Sequence, residues 1–166
     1  MLKVWYNVII DICFKRKGKI MYIVELKKDL FEMPTDIYYF VHCISGDYAL
    51  GAGIAKAFNY RMDMRRKLHK QYPIPDGERY ANVGRALLVD RTFNLVTKTY
   101  CYKKPTYDSL RETLVDMKRQ CKEHNIEHLA MPYIGCGLDR LEWQRVRKML
   151  TQVFEDMNVE IVVCYL

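Results

Sequence analysis

A layered α/β domain, with a mixed sheet lying between helices on both faces, is the architecture this chain's pattern calls for. Apolar runs alternate with helical periodicities from end to end, as they do where sheet and helix layers are built in turn. Two of the runs end in glycine-bearing loops that feed straight into helical segments, the arrangement found at the carboxyl ends of strands in such sheets. With 166 residues, 50% of them hydrophobic, the chain is long enough for one ordinary core and too short for two.

The run Val4 to Phe14 comes first. Asn7 and Asp11 interrupt it, Lys15-Arg16-Lys17 follows it, and no small-residue cleavage site comes next, so it reads as an additional strand or an arm rather than a signal peptide. Residues 1–19 are set apart on this basis as an N-terminal extension. Ile20 to Leu26 and Ile37 to Ile44 are strand-like runs bounded by polar or proline-containing stretches. Gly53 to Tyr72 is expected as one helix. Tyr72-Pro-Ile-Pro-Asp-Gly-Glu-Arg79 is a turn-rich connection. Ala86 to Val89 and Phe93 to Thr97 are short strands joined in a hairpin around Asp90-Arg91-Thr92. Leu110, Leu114, Met117 and Cys121 give Tyr107 to Asn125 a helical stripe, and His128 to Met131 is a buried strand. Val146, Met149, Leu150, Val153, Phe154 and Met157 do the same for a helix over Glu142 to Asn158, and Val159 to Tyr165 is the last strand. There is no internal repeat and no low-complexity tract.

Composition narrows the function classes. No stretch approaches the ~18–20 uninterrupted apolar residues of a membrane span, so a soluble, membrane-free protein is expected. The six cysteines, at 13, 43, 101, 121, 136 and 164, include no close C-x-x-C pair. That suits reduced thiols in a cytoplasmic or nuclear compartment, not a secreted disulfide framework or a zinc site; the absence of an N-x-S/T sequon agrees. The formal charge of +7 comes partly from Lys15, Arg16, Lys17 and Lys19, and partly from Arg61, Arg65, Arg66, Lys67 and Lys70 along one helix. Such a surface attracts phosphates, whether of nucleic acid or of a nucleotide-like ligand, and is equally compatible with a solvated helix face. The aromatic stretch Tyr100 to Tyr107 could stack bases, but no RNP, zinc-finger or helix-turn-helix pattern accompanies it.

The two glycine loops carry the strongest chemical signal. After the run His128 to Met131 comes Pro-Tyr-Ile-Gly-Cys-Gly-Leu-Asp at 132–139, and after Ile37 to Ile44 comes Ser45 to Gly53, ending Gly51-Ala52-Gly53 and opening a helix with Ile54-Ala55. Glycines at 51, 53, 135 and 137 allow positive φ and close backbone approach, so consecutive N–H groups can converge on an anion beside a helix N-terminus. Two such loops suit one pyrophosphate. Neither is a dinucleotide fingerprint, because Lys56 and Arg140 stand where the third glycine belongs, and no P-loop lysine pair exists.

Several side chains near these loops could carry chemistry. Lys98 follows the strand Phe93 to Thr97, which would bring its amine to a sheet edge close to both loops, as a nucleophile, an electrostatic clamp, or a solvated lysine. Asp139 is either a functional carboxylate at the lip of its loop or a helix cap. Cys136, between glycines near a helix N-terminus, is either an activated thiol or a small residue tolerated where the backbone turns. His42-Cys43 begins like a Cys-dependent phosphatase loop, but Ala49 occupies the arginine position, and as strand neighbours the two face opposite sides. His124 and His128 have i, i+4 spacing without a third ligand, so no metal site is assigned. Asp29 either accepts a hydrogen bond from an exocyclic amine or caps the turn before Pro34.

Taken together, Lys-Asp-Leu-Phe at 28–31, His-Cys-Ile-Ser at 42–45, Gly-Ala-Gly-Ile-Ala at 51–55, Thr-Lys at 97–98, Lys-Pro-Thr-Tyr at 104–107 and Pro-Tyr-Ile-Gly-Cys-Gly-Leu-Asp-Arg-Leu at 132–141 resemble a macrodomain. The branch most resembled is that of terminal ADP-ribose protein glycohydrolase. The blocks run in order through a single domain over residues 20–166. The resemblance implies a three-layer α/β/α fold with a mixed central sheet and an ADP-ribose cleft. In it Asp29 and Leu30 hold the adenine. Gly51, Ala52, Gly53, Ile54 and Ala55, with Tyr133, Ile134, Gly135, Cys136, Gly137 and Leu138, cradle the pyrophosphate and distal ribose, and Ser45 is a further ligand-binding position. Thr97 and Leu166 line the pocket. Lys98 and Asp139 fall on the branch's catalytic lysine and aspartate. The implied activity is removal of ADP-ribose from acidic side chains, or deacylation of O-acyl-ADP-ribose, without metal or cofactor. Implied partners are ADP-ribose and ADP-ribosylated proteins, and a monomer is expected. Neighbouring readings are an ADP-ribose 1''-phosphate phosphatase and a non-catalytic ADP-ribose reader; RNA binding rests on charge alone. Lys28, in place of a frequent glycine, and Tyr133, in place of arginine, depart from the pattern.

Overall fold

Alternate residues of the last strand face two different helical layers. In β7 (Val159–Tyr165), Val159, Ile161 and Val163 pack in one core with Leu114 and Leu150, whereas Val162 and Cys164 pack in another with Phe58 and Leu68. A strand buried on both faces needs an apolar run without polar alternation, which Ile161 to Cys164 supply, the half-buried Glu160 near its start being the exception. The computed structural model of the chain describes residues 18–78 and 81–166, and the backbone of residues 9–16. Residues 4–8 of the N-terminal run, Lys17, the Cys13 side chain and Arg79 at the end of the turn-rich connection lie outside the described residues.

Among these, seven strands form one sheet in the order β1-β2-β7-β6-β3-β5-β4. They are β1 (Ile9–Arg16), β2 (Lys19–Lys27), β3 (Tyr39–Ser45), β4 (Ala86–Val89), β5 (Thr92–Lys98), β6 (His128–Met131) and β7. The five central strands are parallel to one another, while the two edge strands, β1 and β4, run antiparallel to their neighbours. One helical layer holds α3 (Tyr107–His124) and α4 (Trp143–Phe154), whose stripes at Leu110, Leu114, Met117 and Cys121 and at Val146, Leu150, Val153 and Phe154 meet Met21, Ile23, Phe93, Leu95 and Leu129. The other holds α1 (Gly53–Met62) and α2 (Met64–Gln71), which place Phe58, Met64 and Leu68 against Phe40, Leu87 and Val96. The mixed three-layer α/β/α fold expected from the sequence is thus present.

Four local expectations need correction. The helix expected over Gly53 to Tyr72 is two helices, because Asp63 adopts a left-handed conformation (φ 53°) that ends α1 and begins α2. Short polar side chains tolerate this region better than most, and Asn59 Oδ1 accepts a bond from Arg65 N (3.1 Å) across the break. The last helix covers Trp143–Phe154, not Glu142 to Asn158. The strand expected from Ile37 begins at Tyr39, since the amides of Ile37 and Tyr38 both turn back to the Pro34 carbonyl. Finally, β5 is an interior strand, so Lys98 ends a strand between β3 and β4 rather than a sheet edge.

Candidate functional site

Five parallel strands deliver their carboxyl ends to one rim, where Ser45, Thr97 and Lys98 end strands and both glycine loops, Asp29, Asp139 and Leu166 follow them; His124 and His128 lie elsewhere, at the end of α3 and the start of β6. That rim is where open α/β sheets bind ligands.

The loop after β3 is organised by a residue the sequence reading passed over. Asp47 accepts hydrogen bonds from Ser45 Oγ (2.5 Å), Ala49 N (3.3 Å) and Cys101 N (3.1 Å), while its own amide donates to Thr99 O (3.1 Å). Gly46 N donates to Lys98 O (2.8 Å). The ends of β3 and β5 are therefore stitched together around one carboxylate. Burial opposes its charge, but the Ser45, Cys101 and Ala49 donors outweigh burial and hold the Asp47 carboxyl below the usual range. Two turns with positive φ, at Tyr48 and Leu50, then bring the chain to Gly53 (φ +55°) at the start of α1. Ala52 offers no side-chain cap, so the first amides of α1 receive no capping side chain, the kind of free donor set on which helix N-termini hold anions.

The loop after β6 is compact. Gly135 takes φ +72°, and a Cβ there would meet Leu141 Cδ1 at 2.9 Å. Its carbonyl accepts Leu141 N (2.8 Å), Cys136 N returns to Tyr133 O (3.1 Å) and Arg140 N to Gly137 O (3.1 Å). Ile134 is buried beneath the loop, while Gly137 and Leu138 are exposed. The two glycine loops meet: a Cβ on Gly53 would stand 3.5 Å from Leu138 Cδ1.

Lys98 Nζ donates to Asp139 Oδ1 at 2.5 Å, from β5 to the second glycine loop, with both side chains about one-seventh exposed. The pair joins positions 41 residues apart, both singled out from sequence. Lys104 Nζ donates to Leu138 O (2.5 Å), so the segment after Lys98 is also tied to the residue preceding Asp139. The thiols nearby are poor nucleophiles. Burial pushes Cys136 up to about 11 and Cys43, beneath Gly135 and Asp139, up to about 12. Cys136 Sγ also donates to Ile134 O (3.3 Å). The structural reading of Cys136 prevails.

Asp29 caps a single 3-10 turn at Leu30–Glu32, its Oδ1 accepting Phe31 N (3.0 Å), and Leu30 is buried. The turn-capping alternative is realised, through one carboxylate oxygen. Thr97 is buried with no partner for Oγ1, while its carbonyl accepts Ser109 Oγ (2.6 Å). Leu166, after β7, is 92% exposed. Tyr133 is fixed from the side. Its hydroxyl donates to Glu25 Oε2 (3.0 Å), Trp143 Nε1 donates to Glu25 Oε1 (2.8 Å), and the Tyr133 ring stacks with Tyr165 at 5.9 Å and 18°. Burial, and then the Glu25 carboxylate, push the Tyr133 phenol up to about 12.

Glu25, Trp143 and Asp47 were not found from sequence, and Lys104 entered only as the first residue of the block at 104–107. Only Asp47 left a local trace, as an Asp two residues from a strand-ending serine in a turn-forming segment; Glu25 and Trp143 are 118 residues apart. On the basic helix, Arg66 pairs with Asp63, Lys67 with Asp90 (2.7 Å), and Arg61 lies over the Phe31 ring at 4.5 Å. His42 is buried, hydrogen-bonded to Asn94 (2.6 Å) and stacked on Phe58 at 4.0 Å, facing away from Cys43's core. Among the described residues no three His, Cys, Asp or Glu side chains group as metal ligands.

Comparison with known proteins gives a consistent picture. A family model described as Macro domain matches residues 41–150. A Bos taurus and a Homo sapiens protein, each named ADP-ribose glycohydrolase OARD1, are 38% identical over 143 residues, covering 85% of this chain and 90% of the relative. The macrodomain of Mycobacterium tuberculosis DarG superposes with a TM-score of 0.71 at 23% identity, over 86% of this chain and 96% of that one. Thermosipho africanus DarTG, solved in complex with ADP-ribose, gives 0.67 at 17% identity, over 93% of this chain and 44% of that one.

Proposed function

The chain belongs to the macro domain family, and from that premise we propose that it is an ADP-ribose-binding hydrolase that removes mono-ADP-ribose from glutamate and aspartate side chains, with deacylation of O-acyl-ADP-ribose as a related reaction. The observation that carries this reading is the Lys98–Asp139 pair, 2.5 Å apart at the meeting point of the two glycine loops. A cleft that only holds a diphosphate needs donors; it does not need an amine and a carboxylate in contact beside it.

The proposed ligand lies across the rim. The first turn of α1 and the loop from Tyr133 to Leu138 offer amides to the diphosphate, as helix N-termini and glycine loops do for phosphates. Asp29 and Leu30 receive the adenine end. The distal ribose then reaches Lys98 and Asp139. Asp139 Oδ1 takes a proton from the Lys98 ammonium, freeing the nitrogen lone pair. The amine attacks the anomeric carbon, the C–N bond forms, and the C–O bond to the acyl group breaks, its electron pair leaving with the carboxylate of the acceptor side chain. A second proton passes from that nitrogen to the ribose ring oxygen as the ring C–O bond breaks, which opens the sugar and leaves a protonated imine. Water adds to that carbon, the C–N bond breaks, ADP-ribose departs and the amine is regenerated, with Asp139 returning the protons. The reaction as written calls on no metal.

The two variants Lys98→Ala and Asp139→Ala should each lower release of ADP-ribose from a glutamate-linked conjugate by at least about 100-fold, while leaving the fold and calorimetric binding of free ADP-ribose in place. Retained release in either variant overturns the mechanism. Binding by the native protein without release makes it a reader, and no binding removes the ligand itself.

A further inference from the structure

The segment that leaves Lys98 is a fixed arch over the mouth of the site. Its start is held by Asp47, through Thr99 O and Cys101 N, and its far side by Lys104, whose amine reaches Leu138 O. Between these anchors Tyr100 and Tyr102 stack at 5.4 Å and 7°, and the Lys103 ammonium lies 5.8 Å from the Tyr102 ring. Tyr102 is 71% exposed and Leu138 64%. Leu138 directly precedes Asp139, and Tyr102 stands on the segment that Lys104 ties to Leu138. The exposed charges nearest them in the chain, Lys103, Lys104 and Arg140, are positive, with Glu142 and Asp108 the exposed acids further along each segment, and Asp139 is already paired with Lys98. An apolar, cationic platform that is anchored before any ligand arrives loses little entropy on binding.

Resting on the hydrolase reading, we propose that this rim, formed by Tyr102, Lys103, Leu138 and Arg140, docks the acceptor polypeptide on either side of the modified residue, and that it selects acidic flanking sequence. The leaving group in that reading is a carboxyl side chain of a protein. The chain carrying it must exit past the arch, because Lys98 opens the arch and Leu138 precedes Asp139. Negative flanks complement the rim's two cations, Lys103 and Arg140, and their aliphatic portions cover Leu138 and the Tyr102 edge. Leu138 borders the held ligand through its loop backbone, whereas Tyr102, Lys103 and Arg140 contact only what is released. The rim therefore sets which conjugates are processed without altering how ADP-ribose is held.

The test compares three substrates: a peptide with ADP-ribosyl-glutamate flanked by Asp and Glu, the same peptide flanked by Asn and Gln, and O-acetyl-ADP-ribose, which has no flanks. The native protein is expected to favour the acidic peptide by about tenfold in kcat/KM, mainly through KM and less so at high salt. Lys103→Glu should abolish or reverse the preference, and Tyr102→Ala should raise KM for both peptides. Both variants should leave turnover of O-acetyl-ADP-ribose unchanged. Equal turnover of the two peptides by the native protein overturns the docking surface and spares the hydrolase reading. So does a preference that Lys103→Glu leaves intact, or competition by a single-stranded oligonucleotide that exceeds competition by the acidic peptide. Failure to turn over all three substrates overturns both.

Discussion

Gly135 and Gly137 sit two positions apart in one loop and have different reasons to be glycine. At Gly135 the backbone is left-handed (φ +72°) and an added methyl would meet Leu141 at 2.9 Å; at Gly137 the methyl would meet nothing within 4 Å. Gly135→Ala is therefore expected to lower stability by about 1–2 kcal/mol. Gly137→Ala should unfold like the native protein, yet weaken ADP-ribose binding where a methyl crowds the cleft. Urea titration and calorimetry on the two variants separate the effects, and equal stability loss in both would refute the distinction. The sequence identified both glycines as loop residues but could not tell them apart, because the difference lies in where Leu141 folds back. Lys98 and Asp139 were legible for the opposite reason: each directly follows a strand or glycine motif that fixes its place on the rim.

Helices and strands were legible wherever an apolar stripe sustained its period, as in α3 with Leu110, Leu114, Met117 and Cys121, and illegible where a single residue broke the backbone. Asp63 splits α1 from α2 without interrupting any hydrophobic pattern, so no periodicity could reveal it. The start of α3 shows how an element end can serve the site. Thr106 Oγ1 accepts Ser109 N and Ser109 Oγ accepts Thr106 N, both at 3.0 Å, while the same Ser109 hydroxyl donates to Thr97 O beside Lys98. Thr106→Ala is expected to destabilise the protein by about 1 kcal/mol, the usual worth of an N-cap. It should also speed amide exchange over residues 99–110, and hydrogen exchange confined to other regions would contradict that coupling.

Across the whole molecule, stability should depend on pH through one buried side chain. Burial lowers the pKa of His42 to about 4, only partly offset by its bond to Asn94, so it is neutral in the folded protein. In the unfolded chain it titrates near its ordinary value of about 6.5. The unfolded state thus binds the extra proton first as pH falls. The folded state is at full strength above about 6.5 and loses about 3 kcal/mol from this group by pH 4. His42→Gln, which keeps a donor for Asn94 Oδ1, should flatten the slope of unfolding free energy between these limits in urea titrations. An unchanged slope would assign acid sensitivity elsewhere. None of this was legible from sequence, where His42 stood out only as the neighbour of Cys43.

The order of strands also makes β7 a keystone. It lies between β2 and β6, so the first strands of the chain join the remainder of the sheet only through its last seven-residue strand. On a ribosome, the piece bearing Lys98, Asp139 and both glycine loops can gather early, with Phe31 beside Asp29 already packed on Phe40 and Phe58, yet β2 waits for its parallel partner until residues 159–165 emerge. A message cut short before that point would leave β2 without the parallel neighbour that joins it to the sheet, and Met21 and Ile23 without β7 beside them.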